Sequence, residues 1–270
     1  MKIISSPFIS PNINKWIKTC THEDLITYNN VVVRFYDTQP IDTSLMHKTI
    51  EIIKYMLRNS MIEIKIYVYL CPYKKQFPAK GIPLSPEHIN SGAALMGEWI
   101  TIFRKEEMFK VLIHELIHYL DWDIKRHKFN TSHIKIDPRS EKPMLPNEAY
   151  TESLAIAYYC YFFKRDIGDE MKFMHYQIEK ILNHYGFDSL EKFKEDNNGF
   201  IQNTSVVSYY IIKYMMVRRM PDIVTVQGNR EEMIKFVQDV LDKFYIYGKK
   251  MNLTGKVIVN EGDSLRMTLI

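Results

Sequence analysis

The chain has 270 residues, 46% of them hydrophobic and 25% charged, with a formal net charge of +4. That length and apolar content support a buried core, in one large domain or two lobes, and exclude a disordered tail. The small charge is not gathered into a Lys/Arg block, since Lys74-Lys75 and Arg218-Arg219 are only pairs, and this speaks against nucleic acid as a partner.

Cys20, Cys71 and Cys160 are too few and too scattered for a disulfide framework or a thiolate metal knuckle, and read as unpaired thiols in a reducing compartment. The leading stretch MKIISSPFISPNIN is broken by Pro7 and Pro11 and lacks the apolar core of a signal peptide. No stretch approaches the length of a membrane span. The expectation is a cytosolic protein that engages no membrane.

In chain order, residues 31–36 (VVVRFY) predict a strand from β-branched and aromatic content. Residues 43–58 carry a helical stripe at Leu45, Ile50, Ile53 and Leu57. Residues 62–70 (IEIKIYVYL) give the clearest strand, and 72–90, with four prolines and Gly81, read as a loop. Trp99–Phe103 predicts another strand, followed by a helix from about Glu106 to Leu120. Residues 125–146 are polar and Pro-rich and read as a long surface connection. Beyond Pro146 helices are expected over 147–164, 169–184, 188–195, 204–218 and 229–246, the last opened by Asn229 with Glu232 three residues on. The fold class is therefore α+β, with a small strand-containing lobe over 1–104 and a mainly helical lobe over 105–270.

Within the helix expected at 106–120 lies His114-Glu115-Leu116-Ile117-His118. Histidines four apart on a helix project from one face, one turn apart, and both imidazoles can reach one zinc ion at about 2.0–2.1 Å. The carboxylate next to the first His stands on the same side and can take a proton from a metal-activated water. Val111, Leu112, Ile113, Leu116, Ile117 and Leu120 surround the motif, so the helix is expected to be buried, and buried polar groups need partners. The reading is one Zn2+ ion held by His114 and His118, with Glu115 as general base, at a site between the two lobes.

A catalytic zinc needs a third protein ligand. A closely spaced third His would fall at position 124, which is Ile124. His127 and His133 follow in the polar connection and read as surface residues. The alternative is a carboxylate on a later helix, and Glu148 and Glu152 stand i,i+4 in PNEAYTESLA, ahead of a nearly continuous apolar run.

The pairing of HELIH with NEAYTE resembles the gluzincin metallopeptidases, whose thermolysin-like members carry Asn-Glu-x-x-Ser-Asp as the second motif. Asn147, Glu148, Thr151 and Glu152 fall in those places, with two conservative changes. The resemblance implies Glu148 as third ligand and Glu152 as an acid that orients a ligand His. Other gluzincins carry Glu-Gly-Phe/Leu-Ala at the ligand, and Glu152-Ser-Leu-Ala fits that form as well, so both carboxylates stay open.

An oxyanion formed by water attack needs a donor beside the metal. Tyr209 and Tyr210, in an expected helix after the third ligand, are the candidates, with Tyr150 as a weaker one. The strand Trp99–Phe103 is expected to hold an extended peptide along a sheet edge, and the small residues Ser91-Gly92-Ala93-Ala94 to line the cleft. Asp121 and Asp123 read as the solvated end of the motif helix. The remaining histidines, His22, His47, His88, His175 and His184, read as structural or surface. The function this implies is peptide-bond hydrolysis of a peptide or protein substrate. The alternatives are a non-catalytic interaction protein that retains the fold, and a zinc hydrolase acting on a non-peptide bond.

Overall fold

The computed structural model describes residues 9–58, 60–124, 127–195, 199–244, 246 and 257–269. The first eight residues of the stretch read for a signal peptide, residues 125 and 126 of the connection, and residue 245 of the last expected helix lie outside them. The architecture is mixed α+β, with one five-stranded sheet in the N-terminal part and helices in the C-terminal part. No helix among the described residues is long and apolar enough to cross a membrane.

The chain forms two compact units, the first made of Met1–Lys74 with Asn90–Asp121. Its elements are α1 (Pro11–Ile17), β1 (His22–Tyr28), β2 (Val31–Asp37), α2 (Thr43–Met56), β3 (Ile64–Tyr69), β4 (Gly92–Leu95), β5 (Trp99–Ile102) and α4 (Met108–Tyr119); the short α3 (Pro86–Ile89) belongs to the second unit. The strands lie in the order β1-β2-β3-β5-β4. β2, β3 and β5 run parallel at the centre, while β1 and β4 pair antiparallel at the edges.

Register aligns the inward side chains. Val31 faces Ile64, Val33 faces Ile66 and Phe35 faces Val68, and Ile66 and Val68 in turn face Ile100 and Ile102. All are buried, and full burial of such side chains is worth about 1.5–3 kcal/mol each. On the other face Tyr36, Tyr67, Tyr69 and Phe103 pack with Ile13 and Ile17 of α1, and the Tyr36 and Tyr69 rings stack with centroids 5.0 Å apart. Coverage on both faces explains why β2 and β3 read as near-continuous apolar runs.

α4 packs against β4, β5 and α2. It therefore groups with the sheet, whereas the boundary expected at 104/105 separates the two. The strand expected at Trp99–Phe103 forms as β5 but is flanked by β3 and β4, so the sheet edge next to α4 is β4.

The second unit, Lys75–Ile89 with Trp122–Ile270, is built on α5 (Pro146–Phe163). Pro at the first position starts α5 without losing a helical donor, and Lys164, at φ 51°, ends it as Arg165 N donates to the Cys160 carbonyl at 3.0 Å. Ala149, Tyr150, Leu154, Ala155 and Ile156 are fully buried. Around α5 pack a π-helix at Val207–Ile212, α8 (Lys213–Val217), α9 (Met220–Val226) and α10 (Arg230–Asp242). α6 (Ile167–His184) lies against the π-helix and α8, and α7 spans Leu190–Glu195. Asn229 caps α10 by accepting from the Glu232 amide, as the sequence predicts.

The expected surface connection is only partly at the surface. Ile134, Asp137 and Met144 are buried. Asp137 accepts from Arg139 Nε at 2.9 Å, from Nη2 at 2.6 Å and from the Gly199 amide at 2.8 Å. These donors hold its carboxyl well below the usual range.

Candidate metal centre

α4 presents the two histidines because it is helical through the whole motif. It ends at Tyr119 with Leu120 as the cap, and the next residue, Asp121, adopts φ 56° while its amide donates to the His118 carbonyl at 3.2 Å. Asp is one of the few non-glycine types that accept this left-handed conformation. His114 is buried and His118 half-buried. Their rings meet nearly edge to face, with centroids 4.6 Å apart and an interplanar angle of 79°. The two Nε2 atoms stand 3.0 Å apart.

Glu148 sits in the first turn of α5, where a carboxylate is favoured by the helix dipole. His114, His118 and Glu148 each offer one ligand atom, and all three atoms lie within 4.8 Å of one another. Two nitrogens bound to one tetrahedral ion at about 2.0–2.1 Å stand about 3.3 Å apart, so the observed imidazole pair has the spacing of a ligand pair. Two imidazole nitrogens and a carboxylate oxygen form a complete three-donor set, and the group can hold a metal ion.

Glu152 is not in this group. It is buried, with Lys213 Nζ 3.9 Å from its Oε2. The i,i+4 pair is thus divided: one carboxylate joins the histidines and the other faces a buried ammonium.

The two candidate tyrosines part in the same way. Tyr209 is half-buried, and its hydroxyl lies 3.4 Å from Glu148 Oε2. Asn147 Nδ2 stands 3.4 Å from the other carboxylate oxygen. Tyr210 is buried, and its hydroxyl donates to the Leu265 carbonyl at 2.6 Å. Both residues lie in the π-helix, a local widening that often occurs at functional sites. Tyr150 is fully buried with no hydrogen-bond partner for its hydroxyl among the described residues, and burial drives its phenol far above the ordinary range.

Glu115 is buried against β4. A Cβ at Gly92 would lie 2.6 Å from Val111 Cγ1 and 2.8 Å from Glu115 Oε1. Gly92 is therefore what lets β4 approach α4 closely enough to wall in the carboxylate. Its position in a run of small residues was a signal for the cleft, but the requirement for glycine itself was not visible. Gly92→Ala is expected to destabilise the protein by about 1–3 kcal/mol, as overpacking does. It should also displace Glu115 more than the histidines, so that bound metal is retained. Thermal melting and metal analysis of the variant check this.

The other histidines and acids considered in the sequence are not members of this group among the described residues. His127 is exposed, and His133 Nε2 pairs with the Leu241 carbonyl at 2.8 Å. His184 is buried against the Ile82 carbonyl. Asp121 is exposed, but Asp123 is buried rather than solvated, and its carbonyl lies 3.4 Å from Arg230 Nη1. Burial pushes the Cys20 thiol up to about 11 and that of Cys160 to about 12, so neither offers a thiolate at neutral pH.

No protein-family model matches the chain, and comparison with curated proteins and with solved structures finds no match either.

Proposed function

We propose that the chain is a zinc-dependent peptidase of the gluzincin kind, with His114, His118 and Glu148 as metal ligands and Glu115 as general base. The observation that carries this reading is the meeting of two imidazole nitrogens and the Glu148 carboxylate within 4.8 Å, on the two motifs that carry the resemblance. Zinc suits that donor set and, when bound, supplies the Lewis acidity that activates water and polarises a carbonyl.

The remaining steps belong to the chain's own groups. Glu115 follows His114 directly on α4 and is shielded from solvent by β4, so its carboxylate accepts a proton without competition from bulk water. It returns that proton to the amine nitrogen as the C–N bond breaks. The Tyr209 hydroxyl, beside Glu148, donates to the carbonyl oxygen as it gains charge. β4 is an edge strand of the sheet and carries small side chains at Gly92, Ala93 and Ala94, which suits the addition of an extended peptide as a further strand.

The test is a mixed peptide library incubated with purified protein, with and without a chelator. Cleavage should stop on chelation and return when zinc is restored. Protein that holds zinc and cleaves no peptide would sink the peptidase reading and favour a non-catalytic role or a different scissile bond. The positions of the new termini would separate endopeptidase from exopeptidase action.

A further inference from the structure

Beyond an isolated antiparallel bridge between Ser264 and Gln76 and a bond from the Leu265 amide to the Lys75 carbonyl at 3.0 Å, residues 264–269 form no helix or strand, yet buried side chains hold them at successive positions. Lys180 Nζ of α6 donates to the Ser264 carbonyl at 2.7 Å, and Tyr210 Oη to the Leu265 carbonyl at 2.6 Å. Lys213 Nζ donates to the Met267 carbonyl at 2.9 Å. Thr268 Oγ1 donates to Glu170 Oε2 at 2.9 Å, and the Leu269 amide reaches the same carboxylate at 3.1 Å. Leu265, Met267 and Thr268 are themselves buried.

Lys213 is the anchor that leads back to α5. It is fully buried, a state rare for lysine unless it is paired. Its ammonium stands 3.9 Å from Glu152 Oε2, and its carbonyl accepts from Ser153 Oγ at 3.3 Å. Lys213 thus grips α5 at two consecutive residues, one turn beyond Glu148. Residues four apart share a helix face, so a group that holds Glu152 and Ser153 bears on the face of α5 from which Glu148 projects.

We propose that Lys213 is a positioning residue for the metal centre, and that segment 264–269 sets the strength of that centre by holding Lys213 against Glu152. This rests on the reading of Glu148 as a ligand. With the Met267 carbonyl in place, the ammonium is held against the Glu152 carboxylate, which steadies the face of α5 that also carries Glu148. Without that link, Glu148 must be ordered at the moment the metal binds, and affinity falls. Coupling of this kind is reciprocal: metal that favours the ordered segment is favoured by it to the same degree.

Zinc affinity, measured by competition with a chromophoric chelator well below the melting temperature, tests this in four proteins. Wild type should bind tightly. Lys213→Met should bind about 10–100-fold more weakly, the usual cost of removing a group that orients ligands. Lys213→Arg, which keeps the charge and donors, should recover most of the loss. Thr268→Val, which removes the bond to Glu170 of α6, should still weaken binding several-fold by loosening the segment there. A role in stability alone would lower the melting temperature of the metal-free variants and leave affinity unchanged, and that result overturns the proposal. If Lys213→Met does not fold, Thr268→Val decides by the same criterion. Wild type that binds no zinc removes the metal reading and this inference together. Wild type that binds zinc alongside variants of equal affinity removes this inference alone.

Discussion

On the peptidase reading proposed above, Glu115→Gln is expected to lower peptide hydrolysis by about 10²–10⁴-fold, the range supplied by a positioned general base, while bound zinc stays at the wild-type level. Glutamine has nearly the same shape, so it keeps the packing of Glu115 against Gly92 and Val111 and leaves α4 in place. His114 and His118 still converge, because their placement depends on the helix and not on the carboxylate. What the amide cannot do is accept a proton from water and pass it to the leaving nitrogen. The expected signature is a fall in kcat with little change in KM, since the group acts on the transition state rather than on substrate affinity. Metal content, folding and turnover should be measured on the same preparation. A Glu115→Gln protein that holds zinc and cleaves at the wild-type rate would show that another group supplies the base.

Much of the first unit was legible before the structure. β2 and β3, which form within the expected strands 31–36 and 62–70, are buried over most of their length, so their sequences carry apolar runs that little else explains. β1 was not read because it lies at the sheet edge with alternate residues exposed, and its sequence HEDLITY is largely polar. β4 escaped because it has four residues, two of them alanine and one glycine, with little strand preference of their own. α1 was missed although a signal was present: Ser10 before Pro11 gives an N-cap, and its hydroxyl accepts from the Ile13 amide at 3.3 Å. Segment 264–269 has no periodicity at all. Its order comes from Lys180, Lys213, Tyr210 and Glu170, which are distant in sequence, so no local pattern could announce it.

The candidate site divides along the same line. His114, Glu115 and His118 sit within one turn of one helix, and their spacing alone places them on a common side. Choosing between Glu148 and Glu152 required knowledge of groups far along the chain. Both stand on the same face of α5, and only the histidines near one and Lys213 near the other tell them apart. Tyr209 and Tyr210 are neighbours in sequence, and only the carbonyl of Leu265 reveals which one is already engaged.

That division predicts opposite signatures for the two carboxylates. Glu148→Ala removes one of three donors and should cost more metal affinity than the about 10–100-fold typical of groups that merely orient ligands. The metal-free protein should keep its stability, because Glu148 is half-buried and close to water. Glu152→Ala should behave in reverse. It leaves the Lys213 ammonium buried without its carboxylate, and removing one partner of a buried pair costs about 3–5 kcal/mol. The metal-free Glu152→Ala protein should therefore melt well below wild type, with metal affinity weakened but not abolished. Zinc competition and thermal melting of both metal-free variants separate these outcomes. If Glu152→Ala loses zinc altogether while Glu148→Ala binds it as wild type does, the ligand is Glu152, and α5 must turn to present it when the metal is bound.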